Sequence, residues 1–584
     1  MKWTQLIDPL NNLALSALVA AIPVLFIFAC FMKKVKGYIA SLLTLALAII
    51  LAVVVYGMPA PLALSSALHG ALYGLFPICW IILGPVFLFN VTVRSGQFEI
   101  IRNFMASITP DRRCQALLIA FAFGAFLEGS AGFGAPVAIT AAMLVGLGFN
   151  PRYAAGLCLI ANTAPVAFGS VGTPIIMAAR VSDIPELAIS QMVGRTLPLL
   201  SVVLPLYLVI LMAGFKRVWE VLPAVIVSGV SFAVFQWLAS NYIGPMLPDV
   251  MAGIASIFCM MILLKFWKPK QAWRFEEEAQ HTLDTTLRYS TSQILKAWSP
   301  FMIMTLFIIT WGLDPVKATL NSVGMIKIDI PGLTDAILKA DGTPLVIKPF
   351  ELNYLSAPGS ALLFASIIAI PLLGMTYRVG ASIYWSTVKQ LIFPIITIAS
   401  IVGFAFIANY SGMSITMGMA LASTGILFPF FSPVLGWLGV FLTGSDTSSN
   451  ALFCKLQATS ADTLGVDPVV TVSANASGGV TGKMISPQSI AIGAAAVGLV
   501  GKESDLFRFT LKHSFIMLAV ISLLTGLQAY VMTWIIPVYQ KTTTTAAVAS
   551  VNDSGVMYLS IFGITLIFMV SIIAWMNRTR IKAK

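Results

Sequence analysis

Two polar segments inside long apolar stretches hold the side chains that could do chemistry. Residues 128–136 combine the carboxyl group of Glu128 with several glycines, and residues 443–450 combine Asp446 with hydroxyl and amide groups. A polar group left unsatisfied in lipid is costly, so polar residues at such places have a function or a partner. Glycines let the backbone open, and Pro136 suits the first turn of a helix. Exposed N–H groups at a helix N-terminus would then form a site for a small anion.

A further polar segment follows each of these, at residues 161–174 and 474–488, with Asn162 and Asn475 in corresponding positions. We expect both segments to be unwound, so that two tips and two interrupted helices enclose a polar cavity. Paired interrupted segments in two halves of a chain are the best sequence indication of a transporter's binding site. The predicted substrate-binding residues are Ser130, Gly132, Phe133, Gly134, Asn162, Thr163, Ser170, Ser445, Thr447, Ser448, Ser449, Asn450, Asn475, Ser477, Lys483 and Ser486.

Three ionisable residues in these segments have specific expected roles. Asp446 and Glu128 are the predicted proton-coupling carboxyl groups, because burial and neighbouring charges decide when a carboxyl group binds a proton. The alternative for each is a helix N-cap or a structural pair within the fold. Lys483 could pair with a substrate carboxylate, or it could snorkel at the end of its span. The histidines and cysteines have no metal-ligand spacing, so neither a metal site nor a cofactor is expected.

The composition is that of a membrane protein. Of the 584 residues, 58% are hydrophobic and 10% are charged, whereas soluble proteins have about 25% charged residues. Basic residues lie at span ends, so the net charge of +12 does not indicate a nucleic-acid partner. We predict an all-α polytopic membrane protein with about 13 transmembrane helices of about 20 residues each. Two interrupted stretches, about 115–149 and 433–460, are predicted to be re-entrant hairpins.

The polar segments divide the chain into two halves of inverted topology. Residues 1–266 hold the first hairpin and a broken helix at about 153–178, residues 267–296 form a cytoplasmic linker, and residues 297–584 hold the second hairpin and a broken helix at about 465–490. Basic loops put the N-terminus outside and the C-terminus in the cytoplasm. The alternative is that small residues, which helices use for close packing, recur by chance.

Several long motifs resemble the bacterial L-lactate permease family. They are FLEGSAGFGAPV at 126–137, GLCLIANTAPVAFG at 156–169, FLTGSDTSSNALF at 441–453, GGVTGKMISPQSI at 478–490 and GLVGKESDLF at 498–507. The resemblance covers nearly the whole chain. It implies uptake of L-lactate, with D-lactate and glycolate as related substrates, by symport with protons across the bacterial inner membrane. It also implies a fold near the ion transporters that have paired hairpins and elevator-like movement.

Other functions remain open at this point. A sodium-coupled carboxylate transporter is the main rival, because unwound carbonyls and hydroxyl clusters also suit Na⁺. A passive anion channel would need a continuous polar lining, whereas the polarity here is concentrated at two points. An enzyme is not expected, because no nucleophile and base occur together. The expected partners are a small 2-hydroxy monocarboxylate, protons and the lipid bilayer, and the sequence does not indicate an oligomeric state.

Overall fold

The computed structural model describes residues 2–33, 35–132, 134–275, 289–333, 335–340 and 342–540. The last predicted span, at about 556–576, lies outside these residues, as do Phe133 and residues 276–288 of the predicted linker. The side of the membrane on which the C-terminus lies therefore stays a prediction.

Helices make up almost all of the first half. This follows from its apolar composition, because a helix satisfies its own backbone groups in lipid. Two π-helical turns, Gly74–Cys79 and Leu117–Phe123, continue α3 into α4 and α6 into α7. The helices are α1 (Leu13–Met32), α2 (Gly37–Val54), α3 (Ala60–Tyr73), α4 (Trp80–Arg94), α5 (Gln97–Ala106), α6 (Arg112–Ala116), α7 (Gly124–Ser130), α8 (Ala135–Gly146), α9 (Pro151–Ala161), α10 (Gly169–Ser182), α11 (Glu186–Ala213), α12 (Phe215–Val218), α13 (Leu222–Tyr242) and α14 (Pro248–Phe266).

The second half is also mainly helical. Its core is the close packing of α20 against α22, and both of these helices contact α21 and α24. The helices are α15 (Thr291–Gly312), α16 (Asp314–Gly324), α17 (Pro358–Leu372), α18 (Tyr377–Ser411), α19 (Met413–Ala422), α20 (Phe428–Thr443), α21 (Asp446–Leu464), α22 (Pro468–Lys483), α23 (Pro487–Ala496) and α24 (Glu503–Tyr530).

The described residues contain fewer membrane spans than the predicted 13. Ten helical segments are long and apolar enough to cross a membrane, or eleven if the pair Pro151–Ala161 and Val166–Ser182, bent by 65°, is one span. The predicted span at 355–374 is a helix of 15 residues, Pro358–Leu372, which is short of the required length of about 20. Conversely, Gly425–Thr443 is long enough to be a span, although it includes the first arm of the second predicted hairpin. The protein is a multi-pass membrane protein.

Four short strands correct the expectation that the chain is entirely helical. In the segment between α16 and α17, β2 (Met325–Ile328) pairs with β4 (Phe350–Asn353) in an antiparallel ladder. The N-terminal β1 (Trp3–Thr4) pairs in parallel with β3 (Ile337–Leu338). The mixed polarity of this segment hid its strands, because none of them has a long apolar alternation.

The two polar tips have related structures. In the first, α7 ends at Ser130 and α8 begins after Gly134, whose φ of 82° lies in the left-handed region. In the second, α20 ends at Thr443 and is followed by Gly444 with φ of 71°, and Ser445 caps the N-terminus of α21. The helices of each pair contact one another, as a hairpin requires. Whether these hairpins re-enter the membrane on the same side stays a prediction.

The two predicted broken helices are both interrupted, but the second is unwound over a much shorter segment than the predicted 474–488. The first helix ends at Ala161, turns at 162–165 and has left-handed residues at 170–172. The second continues as a helix through Lys483 and is interrupted only at 484–486. Pro165 explains the difference, because proline disfavours helix at the residue before it, whereas Gly478 stands at the corresponding position. A Cβ on Gly478 would overlap the Pro433 carbonyl, so this glycine lets α22 pack closely on α20.

Candidate functional site

The polar tips and the interrupted helices meet at a cavity of about 430 Å³, which we call the site cavity. Residues from both halves of the chain line it, so neither half forms it alone. Its polar and ionisable lining residues are Tyr38, Glu128, Ser170, Thr173, Thr397, Thr443, Ser445, Asp446, Thr447, Ser448, Lys483, Gln488 and Ser489.

An ion pair between the two halves lies at this cavity. Nζ of Lys483, the last residue of α22, is 2.5 Å from Oε1 of Glu128 in α7. The side chains are 11% and 3% exposed, so this is a buried ion pair. Nδ2 of Asn162 donates to Oε2 of Glu128 at 3.0 Å, so each carboxylate oxygen has one donor. Lys483 therefore pairs with Glu128 and is not a snorkelling residue.

Asp446 is the first residue of α21 and lines the same cavity. It is 4% exposed, and neither of its carboxylate oxygens has a hydrogen-bond partner among the described residues. Its N-terminal neighbour Ser445 caps the helix by accepting from the Ser448 N–H, so Asp446 is not the cap. Lys483 lies within electrostatic range of Asp446, and Gly479 of α22 leaves space for its carboxylate. One buried lysine thus faces two carboxylates.

A third buried carboxylate was missed by the sequence analysis. Asp249, in the first turn of α14, is 1% exposed and neither oxygen has a hydrogen-bond partner among the described residues. A Cβ on Gly129 would lie 2.7 Å from the Asp249 Cβ, so the aspartate packs directly against the first tip. It is within electrostatic range of Glu128 and Lys483. The predicted span began at Val250, which placed Asp249 in a loop.

The backbone of the first broken helix is strained where it lines the cavity. Ser170 and Val171 have φ of 46° and 58°, in the left-handed region that L-residues with side chains rarely adopt. Such strain costs about 1–3 kcal/mol per residue and persists only where surrounding contacts hold it. Ser170 Oγ donates to the Ala131 carbonyl at 3.3 Å, and Thr173 Oγ1 donates to the Ser170 carbonyl at 2.5 Å. The first contact joins the broken helix to the first tip, and the second lies within the broken helix.

About half of the predicted site residues lie at the cavity. Six of the sixteen predicted substrate-binding positions line it, together with both predicted proton-coupling residues. The cavity-lining ones are Gly134, Ser170, Ser445, Thr447, Ser448, Lys483, Glu128 and Asp446, and Ser486 caps the N-terminus of α23 beside the lining residue Ser489.

The other predicted residues are buried in the helices behind the cavity. Asn475 Nδ2 donates to Asn450 Oδ1 at 2.8 Å, Gln457 Nε2 donates to Asn475 Oδ1 at 2.7 Å, and Asn450 Nδ2 donates to the Pro174 carbonyl at 3.0 Å. This network ties α21 and α22 to α10. The amide groups are therefore satisfied within the protein. A polar side chain of this kind cannot be distinguished by residue type from one that faces the cavity.

The remaining predicted positions have local contacts. Ser130 Oγ donates to the Phe126 carbonyl at 2.8 Å, and Ser449 Oγ donates to the Gly436 carbonyl at 3.1 Å. Gly132 lies against Ser170 with no room for a Cβ. The hydroxyls of Thr163 and Ser477 are buried and have no partner among the described residues. The same part of the chain contains no group of three or more histidine, cysteine or acidic side chains placed to hold a metal ion.

Comparison with known proteins gives a consistent result. The sequence model of the family described as L-lactate permease matches residues 16–532. The chain is 54% identical over 564 residues to the L-lactate permease of Bacillus subtilis (strain 168), covering 92% of this chain and 100% of that protein. It is 50% identical over 550 residues to the L-lactate permease of Escherichia coli (strain K12), with coverage of 92% and 100%.

A relative named for a different substrate is about as similar. Glycolate permease GlcA of Escherichia coli (strain K12) is 50% identical over 556 residues, covering 91% of this chain and 99% of that protein. Among solved structures, the MtrF transporter of Neisseria gonorrhoeae aligns with a TM-score of 0.40 and 14% identity over 79% of this chain and 83% of that one. That structural similarity is too low to add to the assignment. The matched family and the identities over nearly the full chain show that this chain is a transporter of the L-lactate permease family.

Proposed function

We propose that this protein takes up L-lactate, and also D-lactate and glycolate, by symport with protons. The observation that carries the proposal is the buried Lys483–Glu128 ion pair at a cavity that also holds Asp446, whose carboxylate has no hydrogen-bond partner among the described residues. This arrangement offers a cation for a substrate carboxylate and carboxyl groups for a proton. The names of the relatives supply the substrate class.

A small 2-hydroxy acid fits the groups that line the cavity. Its carboxylate would contact Lys483 and the N–H groups at the start of α21, where the helix dipole favours an anion. The hydroxyls of Ser445, Thr447 and Ser448 are available to its 2-hydroxyl group. Apolar residues such as Val166 and Ile492 line the same cavity and would face a tail of one or two carbons.

Coupling follows from competition for Lys483. When the substrate carboxylate pairs with Lys483, Glu128 loses its cation and becomes a buried carboxylate without charge compensation, a state that favours proton uptake. Asp446 is the second proton acceptor near the same lysine. Lactate carried with one proton moves no net charge, so the membrane potential neither drives nor opposes the transport.

The membrane, the topology and the mobile elements of the protein also belong to this proposal. We place the protein in the bacterial inner membrane with its N-terminus outside and its C-terminus in the cytoplasm. The two halves are inverted repeats, and the hairpins with their broken helices move together in an elevator-like step. Similar local structures in the two halves support the repeat: Gly96 and Gly412, with φ of 76° and 97°, each follow a serine and cap the N-terminus of a helix of 10 residues.

Uptake into proteoliposomes tests this function. Purified protein is reconstituted, and accumulation of labelled L-lactate is measured under an inward proton gradient and, separately, under an inward sodium gradient at equal pH. We expect accumulation with the proton gradient alone. Accumulation that requires sodium would reject proton coupling, and flux that neither saturates nor responds to either gradient would indicate a channel. Unlabelled D-lactate and glycolate, added as competitors, test the substrate range.

A further inference from the structure

A second and larger cavity of about 730 Å³ lies outside the site cavity. Its walls come from the N-terminal segment, from α3, α10, α18 and α21, and from the segment at 339–348 that follows β3. None of its lining residues takes part in the proposed transport step. Its lining combines several cations with buried polar atoms.

Three helices line both cavities at different heights. On α10 the site cavity ends at Pro174 and the second cavity begins at Ala179, and on α21 the corresponding residues are Ser448 and Lys455. On α18 the separation is similar, so the two cavities are about 8 to 12 Å apart along the helices. The helix residues between them are buried and mostly apolar, as in 175–178 of α10. The cavities therefore lie along one path through the protein, with a thin closed layer between them.

The second cavity has an excess of positive charge. Lys455 Nζ pairs with Asp183 Oδ2 at 2.9 Å. The other charged residues that line the cavity are three cations, Arg180 and the two lysines of the 339–348 segment, and one anion, Glu186. The Arg180 guanidinium lies 5.5 Å from the centre of the Tyr73 ring. No carboxylate of the described residues lies within salt-bridge distance of it, and its charge interacts with that of Glu186 at longer range. Stacking on an aromatic ring holds a guanidinium in place while its N–H groups stay available.

Buried polar atoms without partners line the same cavity. His69 is 1% exposed and its Nε2 has no partner in the described part of the chain, while its Nδ1 lies 3.3 Å from the Tyr410 hydroxyl. Gln5 is 3% exposed, and its Oε1 is likewise without a partner. Buried polar atoms are normally satisfied, so two such atoms in one cavity indicate that a ligand or water completes them.

The geometry points to a second binding site for a small 2-hydroxy monocarboxylate in this cavity. The Arg180 guanidinium receives the carboxylate in a bidentate contact, the strongest form of this pairing. The ligand's hydroxyl group donates to Gln5 Oε1 or meets His69 Nε2, because a hydroxyl can act as donor or acceptor. The identity of the ligand rests on the proposed function, whereas the existence of an anion site rests on the cavity alone. This site holds a substrate molecule about 8 to 12 Å, measured along the helices, from the site cavity that contains Lys483.

Counting bound substrate tests the proposal. Full-length protein in lipid nanodiscs is titrated with labelled L-lactate, and the number of molecules bound per chain at saturation is measured. We expect two for the natural protein, one for Arg180→Gln, one for Lys483→Gln and none for the double variant. Arg180→Lys, which keeps the charge but loses the planar fork, should bind two with about tenfold weaker affinity at one site.

A matched arginine serves as the control. Arg152 also lies over an aromatic ring, 5.8 Å from the centre of Phe509, and is exposed, but it does not line the second cavity. Arg152→Gln should still bind two. The second site is disproved if the natural protein transports L-lactate but binds one molecule per chain, or if Lys483→Gln alone abolishes all binding. If the natural protein neither binds nor transports any 2-hydroxy acid, the proposed function fails instead.

Discussion

Lys483 and Glu128 come from opposite halves of the chain, yet Nζ of the first lies 2.5 Å from Oε1 of the second. A second contact joins the other tip to the other broken helix: Nδ2 of Asn450, in the second tip, donates to the Pro174 carbonyl of the first broken helix at 3.0 Å. Each tip is therefore attached to the interrupted helix of the other half. Any movement that separates the halves at the cavity has to break the ion pair, which makes it the natural place for substrate to act.

Replacing Lys483 tests this relationship. Lys483→Met leaves Glu128 buried without a cation, and we expect a loss of about 3–5 kcal/mol in the free energy of unfolding. Adding Glu128→Gln removes the unpaired charge and should restore most of that stability. Uptake of L-lactate should stay absent in both variants, because neither offers a cation to the substrate. Thermal unfolding in detergent and uptake into proteoliposomes measure the two effects.

The double variant is the informative control here. Recovered stability without recovered uptake separates the binding role of Lys483 from its structural one. If Lys483→Met takes up L-lactate with natural affinity, Lys483 does not bind the substrate, and the ion pair is structural only.

Asp446→Asn separates coupling from binding. Asp446 is buried and has no hydrogen-bond partner in the described part of the chain, so an amide of the same shape fits its place but cannot accept and release a proton. We expect accumulation driven by a proton gradient to fall at least tenfold, while exchange of internal for external L-lactate continues. Asp462→Asn, on the exposed side of the same helix, is the control and should accumulate normally. Normal accumulation by Asp446→Asn would exclude it as the proton site and leave Glu128.

How far the sequence predicts this site depends on the kind of residue. Glycine, proline and ionisable residues in an apolar run mark the tips, because few structural reasons put them there, and Glu128, Asp446 and Lys483 do meet at one cavity. Asn450 and Asn475 are polar residues in the same kind of apolar run, but their side chains hydrogen-bond to each other. Which side of a buried helix a polar residue faces depends on the packing of distant helices, and no local pattern records it.

The same limit explains the errors in the fold. Asn475 and Ser477 lie inside a continuous helix, although their neighbours resemble those of Asn162 and Thr163. Small residues that permit unwinding also permit close packing, and tertiary contacts decide between the two outcomes. Asp249 was missed because its charge lies at the first turn of a span, where a loop residue is also expected.

Asp249→Asn should stabilise the protein. Among the described residues no hydrogen bond of standard geometry reaches the carboxylate, and the desolvation of its charge outweighs the attraction of Lys483. An amide of equal size removes the charge. We expect a gain of about 1–3 kcal/mol in the free energy of unfolding at neutral pH. Asp111→Asn is the opposite control: Asp111 is equally buried but pairs with Arg113 at 2.8 Å, so the same change should destabilise. A loss of stability in Asp249→Asn would show that this carboxylate has a partner that compensates its burial.

The packing of α20 on α22 decides whether Lys483 reaches the cavity, and Gly478 tests it. A Cβ at Gly478 would overlap the Pro433 carbonyl, and backbone atoms cannot move aside as a flexible side chain can. Gly478→Ala should therefore push the helices apart, lower the free energy of unfolding by about 1–3 kcal/mol and reduce uptake at least tenfold, because Lys483 ends the same helix. Gly312→Ala should leave both measurements unchanged, because no described residue outside the glycine's own helical turn has an atom within 4 Å of the added Cβ. Equal behaviour of the two variants would mean that close approach of α20 and α22 does not position the lysine.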